Sequence, residues 1–498
     1  MRTLLIGLLF LLSFSAHAGT FTIHVTARGF GDDIVSLYRY ADLFTHRTIL
    51  VQRGILDATG RAVLEGEANG TLKVQLRIGE RIADFYVRPG STLHVTPFDL
   101  GTARSLSGTT RMGLDFTDID ALDVNALTAD VNERIDAFVA EDLATDEAAG
   151  MQALDIQRKE GSAKPDSATR PATLFVTPQL SKPRVDTFAI KLRKFYAEVN
   201  DPWFAHYLEH SIAGLYVGPR TNDRELFETF VKGEPVRYDD PEYVRLIRTL
   251  FGEGLEQLYR YKGDSLRLAM TASDPFALRA LFQGNDFLRS DDRLAELVMI
   301  DQLYLNHSSR LVSSAEVVNL LRRVSDDSTI EEHRIIASNM VWDLTAMRVG
   351  AKLPAMRLED ERGQAVDLNE LLKGPVCVAF TAGWCTYCTA ETGSLINLAE
   401  EGKGTMKVVV IGLDRTLDDF KAAKKAMPAS AHVTWLHAVA EQQVREDARI
   451  RSLPQYFILN DYVLARAPAP LPSKGLAELF FKAKTEAEKG GRLKVWDD

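Results

Sequence analysis

Sulfur is scarce in this chain, with three cysteines spread over 498 residues. Disulfide frameworks use even, dense sets of cysteine in small domains, so three thiols do not make one here. Positive charge is not in excess either. Lys and Arg total 59 against 69 Asp and Glu, a formal net charge of -10. That balance argues against nucleic acid or anionic membrane surfaces as partners. Long apolar runs are missing as well: past the N-terminus no stretch approaches the ~20 residues that a bilayer span needs. No internal repeat emerges, so nothing indicates a solenoid. What remains is an ordinary globular composition, 46% hydrophobic and 26% charged, in a chain long enough for about three domains.

The first residues have a different character. Arg2 is followed by an apolar run from Leu4 to Leu12, then Ser13-Phe14-Ser15 and Ala16-His17-Ala18, a small-x-small site before Gly19. This is the pattern of a cleaved secretory signal over residues 1–18. The run is too short for a transmembrane anchor, and no cysteine near the site offers a lipid anchor. The expectation is an exported protein with no membrane span after cleavage and the periplasm as its compartment.

Three textures follow. Residues 19–100 carry short alternating segments, Phe21-Ile23-Val25 and Leu72-Val74-Leu76-Ile78, between the turn signals Asp57 to Gly60 and Arg88 to Ser91; they are expected to form an antiparallel, β-sandwich-like domain. Residues 101–346 are expected to be all-α, helical in texture from about Met112. The apolar spacing marks helices at Asp186–Val199, Asp223–Val231, Pro241–Tyr261, Pro275–Phe282, Asp292–Leu305 and Ser314–Val324, with a loop from Glu160 to Thr173. Residues 347–498 turn to α/β. Val376 to Phe380 and Met406 to Leu413 suit strands buried on both faces of a mainly parallel sheet, with helices at Cys385–Glu401 and Thr416–Met427. Thr434 to Val439, a hairpin of Gln455–Leu459 and Val463–Arg466, and a last helix from about Lys474 complete the layer.

Within that α/β segment, Trp384-Cys-Thr-Tyr-Cys388 holds two of the three cysteines. Cys385 falls just after a predicted strand, at the first turn of a helix, where unpaired N–H groups and the helix dipole favour a thiolate. Thiolates so placed have pKa values lowered to ~3.5–7.5 and are the attacking species. Cys388, three residues on, shares its helix face at ~5–6 Å between side-chain roots, so the pair can close with modest adjustment. In exchange, Cys385 attacks a partner's disulfide and Cys388 resolves the mixed disulfide; the reverse order oxidises the partner. Two rivals stand beside this: half of a zinc site, which lacks further ligands because Cys377 lies inside a predicted buried strand, and a static structural disulfide. Cys377 itself reads as a structural core residue.

Residues from about Val349 to Lys482 resemble the thioredoxin superfamily, and within it the exported TlpA and ResA type of thiol-disulfide oxidoreductase. The lead-in from Gly350 to Gly363, with Val366-Asp-Leu368 and Leu371-Leu-Lys-Gly374, is similar to that group's entry hairpin, and Trp384-Cys-Thr-Tyr-Cys388 falls on its active site. The resemblance implies a thioredoxin fold and no bound cofactor. It implies catalytic roles for Cys385, Cys388 and Glu391, and a redox-active Cys385–Cys388 disulfide. It also implies that Trp384, Thr386, Tyr387, Leu453 and Pro454 meet the substrate, with Pro454 cis and facing Cys385. From the residues alone, Pro454 fits a trans proline opening a strand, and Glu391 fits either a proton shuttle for Cys388 or an exposed helix carboxylate. Two departures stand out. Ala379 occupies the place where cytoplasmic thioredoxins carry a buried acid, and Thr386-Tyr387 is not the family's usual dipeptide. The direction of transfer is therefore open across roughly -270 to -120 mV. More loosely, Asn200 to Phe204 and Tyr238 to Tyr243 resemble large secreted Bacteroidetes proteins that carry a β-domain and a helical segment ahead of a TlpA-like domain.

Two other motifs compete. His206-Tyr-Leu-Glu209-His210 matches the helical H-x-x-E-H zinc-peptidase signature, but no third ligand is identifiable, and no metal is expected. A peroxidase of the same superfamily would need proline at position 378 and threonine at position 382, which hold Val378 and Ala382. The expected function is thus dithiol–disulfide exchange with protein substrates, as a reductant supplied by a membrane electron donor. A non-enzymatic envelope scaffold is the alternative, because most of the chain precedes the redox segment.

Overall fold

A computed structural model describes residues 19–29, 34–79, 81–101, 110–160, 181–217, 222–450 and 452–488. The expected signal at 1–18 and the expected loop after Glu160 lie outside these residues. Among the described residues no helix is long and apolar enough to cross a membrane. The chain divides into two compact units, 1–340 and 341–498.

The first unit begins with β1 (Gly19–Thr26), β2 (Ile34–Tyr40), β3 (Thr48–Ile55), β4 (Arg61–Ala68), β5 (Leu72–Ile78), β6 (Arg81–Val87), β7 (Thr92–Asp99) and β8 (Thr110–Thr117). They form one sheet in the order β3-β2-β5-β6-β8-β7-β1-β4. The alternating residues Phe21, Ile23, Val25, Val74, Leu76 and Ile78 all face its core. The turns fall where expected: Gly60 and Gly90 take the left-handed φ values of 77° and 78° that glycine allows without strain. Two features differ from the expectation. The β1–β7 and β6–β8 pairings are parallel, and β8 lies where the helical texture was expected to have begun. Met112, Leu114 and Phe116 do alternate toward the core, and β8 pairs antiparallel with β7. A strand this short carries too little periodicity to outweigh the helices that follow it.

Those helices are α1 (Val124–Glu160), α2 (Lys182–Phe195), α3 (Pro202–Leu215), α4 (Asp223–Phe230), α5 (Pro241–Phe251), α6 (Gly254–Thr271), α7 (Pro275–Phe282), α8 (Asp292–Leu305), α9 (Ser314–Asp327) and α10 (Glu331–Thr345). Three begin with Asp-Pro, where the carboxylate of Asp201, Asp240 or Asp274 caps the first turn and the proline fills it. The segment expected as one helix over Pro241–Tyr261 is two: α5 ends at Gly252, a poor helix former, and α6 restarts at Gly254. Helix α8 is wrapped on all sides, with Leu294, Leu297, Val298, Ile300 and Leu303 at 2% exposure or less.

Asp201 does a second job. Arg88, just after β6, reaches it at 2.6 Å while Phe204 N donates to its other oxygen at 3.1 Å. Partial burial would raise the Asp201 pKa, but Arg88 and the cap N–H groups outweigh it and the group sits below the usual carboxylate range. Its stabilisation is therefore present above the unfolded pKa near ~3.9 and lost as pH falls through the folded value. Asp201→Asn keeps a good cap and loses the charge. The urea midpoint of the variant is expected to fall by the equivalent of about 1 kcal/mol at neutral pH, with the difference from wild type vanishing in acid.

The second unit holds β9 (Leu358–Glu359), β10 (Ala365–Val366), β11 (Pro375–Thr381), α11 (Thr386–Glu401), β12 (Lys407–Gly412), α12 (Leu417–Lys425), β13 (Val433–Ala438), α13 (Glu441–Asp447), β14 (Gln455–Asn460), β15 (Val463–Ala469) and α14 (Leu476–Glu488). The sheet order is β10-β9-β13-β12-β11-β14-β15, with β11, β12 and β13 parallel and β14 antiparallel to β11. Successive residues of the central strands feed two cores: Val376, Val378, Phe380, Val409 and Ile411 one side, Cys377, Ala379, Val408 and Val410 the other. This two-sided burial is what the continuous apolar runs implied. The β14–β15 hairpin turns on Asp461 and Tyr462, both at positive φ, one residue later than the expected Asn460-Asp461. The whole is an N-terminal β-layer, a central helical region and a C-terminal thioredoxin-like fold.

Candidate functional site

Strand β11 delivers the chain to Ala382-Gly383-Trp384 at the carboxyl end of the sheet, where open α/β folds present their reactive groups. The turn there is tight. Cys385 N donates to Ala382 O at 3.1 Å, and Gly383 N donates to Asp414 Oδ1 at 2.7 Å. A Cβ on residue 383 would lie 2.6 Å from Ala423 Cβ, so glycine alone fits.

Cys385 is the N-cap of α11, in extended geometry, with its Sγ accepting the Cys388 N–H at 3.2 Å. A sulfur at this point meets unpaired N–H groups and the positive end of the dipole, the setting that stabilises a thiolate. Cys385 and Cys388 are joined as a disulfide with Cα atoms 5.2 Å apart, within the usual span. Their environments differ: Cys385 is half-buried, whereas Cys388 is wholly enclosed. The outer sulfur alone is open to attack by, or on, a partner.

The Leu453–Pro454 peptide bond is cis, not the trans strand opening that the residues alone allowed. Leu453 O lies 4.0 Å from Cys385 Sγ, so the loop before β14 sits against that sulfur. Trp384, Thr386 and Tyr387 are all exposed around it, Trp384 at 61% and Tyr387 at 51%. Cys377 is completely buried in β11, and burial pushes its thiol up to about 12; it is inert core.

Glu391 is no exposed helix carboxylate. It is 4% exposed, one turn below Cys388, and Ser473 Oγ and N donate to its two oxygens at 2.5 and 3.2 Å. Burial would raise its pKa, but the Ser473 bonds, the Tyr387 hydroxyl and the Lys474 charge outweigh it and hold the group below its usual value. A buried acid does stand near the turn, at another position. Asp414, directly after β12, is 2% exposed, and burial pushes its carboxyl up against the opposing pull of Gly383 N–H and His437. His437 Nε2 donates to the Asp414 carbonyl at 3.0 Å, and its Nδ1 lies 2.8 Å from Glu359. Asp414 could have been suspected from its place at the end of a parallel strand. Ser473, 82 residues from Glu391 in sequence, carries no sequence signal at all.

The H-x-x-E-H residues lie on α3, each tied to another partner. His206 Nε2 accepts from Arg237 at 2.6 Å, His210 Nδ1 lies 2.5 Å from Asp240, and Glu209 is held by Arg193 at 2.7–2.8 Å. No group of three or more His, Cys, Asp and Glu suited to a metal ion occurs among the described residues.

Residues 349–461 match the model of the AhpC/TSA family. No curated protein sequence matches the chain significantly. Among solved structures, a thioredoxin-like protein from Bacteroides caccae aligns at 13% identity over 64% of this chain and 99% of its own, with a TM-score of 0.27. The thioredoxin domain of a thiol-disulfide oxidoreductase from Bacteroides vulgatus aligns at 20% identity over 29% of this chain and 99% of its own, TM-score 0.24. A putative thiol:disulfide interchange protein DsbE from Chlorobium tepidum aligns at 20% identity over 28% and 97%, TM-score 0.24. At such TM-scores these likenesses carry no argument of their own; the fold rests on the strand order and the family match.

Proposed function

The C-terminal domain belongs to the thioredoxin superfamily, and from that premise we propose that the protein exchanges a Cys385–Cys388 dithiol for disulfides in protein substrates, acting outside the cytoplasm as a reductant. One observation carries the reading: a half-exposed Cys385 at a helix N-cap, bonded to a fully enclosed Cys388 and facing the cis-Pro454 loop. The Cys385 thiolate attacks a substrate disulfide, forming Cys385–S–S–substrate and releasing one substrate thiolate. Cys388 passes its proton to Glu391 and attacks Cys385 Sγ. The Cys385–Cys388 bond closes, the mixed disulfide breaks, and two electrons have passed to the substrate. Trp384, Thr386, Tyr387 and Leu453 form the rim on which the substrate chain rests.

The direction follows from how the reduced form is stabilised. The N-cap setting of Cys385 favours its thiolate and works toward oxidation, whereas an anionic Glu391 on the Cys388 face of α11 disfavours a second thiolate and works toward reduction. The reductant role takes the second effect to prevail. Working outside the cytoplasm, the protein would draw its electrons from a membrane donor. The test is the reduction potential of the pair, read by equilibrating the full chain in glutathione and dithiothreitol buffers. A value near roughly -250 mV or lower is expected. One near about -120 to -180 mV overturns the reductant role while keeping exchange. Failure to equilibrate overturns the enzymatic reading in favour of a scaffold.

A further inference from the structure

Glu391 is an unusual proton acceptor in one respect: its two oxygens are held from outside its own helix. The holder is the short turn Pro472–Lys474 ahead of α14. That turn is built before it meets Glu391. Pro472 is buried, Lys474 N and Leu476 N both donate to Leu471 O at 2.8 and 3.1 Å, and Gly475 takes φ 117°, which an L side chain rarely adopts. Ser473 thus presents its hydroxyl and its amide together at 2.5 and 3.2 Å, a two-point grip on both oxygens of a carboxylate that is almost wholly enclosed. Ser473 itself is exposed, so the grip stands between Glu391 and water.

We propose that Ser473 is a positioning residue that holds Glu391, three residues after Cys388 on the same face of α11, as the ionised acceptor for the Cys388 proton, and so governs the second half of the exchange, resolution, while leaving the first half untouched. The inference rests on the exchange reading above and names a residue for that site. The chemistry separates the halves. Attack by Cys385 on a substrate disulfide needs no proton from Cys388. Resolution needs the Cys388 S–H bond broken, the proton accepted by Glu391, the Cys385–Cys388 bond formed and the substrate sulfur expelled as thiolate. Only the second draws on a carboxylate that must be charged. The charged and titratable groups that act on Glu391 are Tyr387 on its own helix, Lys474 beside Ser473, and Tyr456 on β14. With the Ser473 hydroxyl removed, the residue-473 amide, Lys474 and Tyr387 remain, but burial loses its largest opponent and the Glu391 pKa moves upward.

The experiment uses the reduced full chain and the aromatic disulfide 5,5′-dithiobis(2-nitrobenzoate) in stopped flow. The first equivalent of thionitrobenzoate reports attack by Cys385 and the second reports resolution by Cys388. In Ser473→Ala the first phase is expected to keep its rate. The second should slow by roughly tenfold or more below neutral pH and recover as pH rises. Ser473→Thr, which restores the hydroxyl, is expected to restore the wild-type pH profile. Carboxyl ¹³C titration of Glu391 should move upward in the alanine variant alone. A second phase with an unchanged pH profile in Ser473→Ala sinks the proposal, as does equal slowing of both phases at every pH, which marks mere structural damage. If wild type itself releases no second equivalent, it is the exchange reading that fails instead, and that outcome is visible without any Ser473 variant.

Discussion

Cys385→Ser is expected to lose protein disulfide reduction by on the order of 10³-fold or more, to the uncatalysed rate, in an insulin-reduction assay with dithiothreitol as electron source. The size follows from chemistry at one atom. A thiol at a helix N-cap reaches its thiolate near neutral pH, whereas a serine hydroxyl in the same place does not, and neither Cys388, at 0% exposure, nor the buried Cys377 can take over the attack. The substitution is also a clean one. Serine is a good N-cap, so its oxygen can accept the Cys388 N–H that Cys385 Sγ now accepts at 3.2 Å, and the thermal midpoint should change little beyond the loss of the short Cys385–Cys388 loop. Cys388→Ser should behave differently: Cys385 still attacks, and the covalent complex with substrate accumulates and can be seen on a non-reducing gel. If Cys385→Ser retained activity, or Cys388→Ser trapped nothing, the assignment of attacking and resolving sulfur would be wrong.

The largest expected loss of stability lies in the other unit. Arg248 on α5 donates from Nε and Nη2 to both oxygens of Asp301 on α8, at 2.7–3.2 Å, and from Nη2 to the carbonyl of Phe44 at 2.8 Å. One guanidinium thereby joins two helices to the segment that follows β2. The Asp301 side chain is 3% exposed, and burial pushes its carboxyl up in spite of Arg248. Arg248→Ala leaves a buried charge and a carbonyl without their partner, at a cost of about 3–5 kcal/mol, read as a drop in the urea midpoint of the full chain. The sign with pH is fixed by linkage. A carboxyl whose folded pKa lies above its unfolded value is most costly when ionised, so the deficit should shrink as pH falls through the folded pKa. Replacing both partners with apolar residues of similar volume is expected to cost much less than Arg248→Ala alone. Equal losses from the single and double replacements would show that packing, not the unpaired charge, sets the penalty.

The C-terminal α/β segment was legible because its information is local. Val376 to Phe380 and Met406 to Leu413 are apolar on every residue, which only strands covered on both faces tolerate. The C-x-x-C spacing at a strand-to-helix turn is a local statement about a thiol and a dipole. The Asp-Pro steps at 240 and 274 announced helix starts for the same reason, since a cap and its first turn lie within four residues. Where the signal was short or two-sided, the reading slipped. The eight residues of β8 alternate, yet their pattern merges with the helical segment beside them, and Gly252 ends a helix whose apolar spacing runs straight through it.

What the sequence by itself determined is therefore the order of β, α and α/β layers, the strand–helix alternation of the last, and the place of the C-x-x-C pair at a strand-to-helix turn. What only the tertiary structure decided is the environment of each reactive group. Cys388 is enclosed while Cys385 is not, Pro454 is cis against Cys385, Glu391 is buried and gripped by Ser473, and Asp414 holds the Gly383 amide. These depend on contacts between residues tens of positions apart, and a pattern of residue types has no term for them. Burial, charge and hydrogen bonding at a site are properties of what folding brings together.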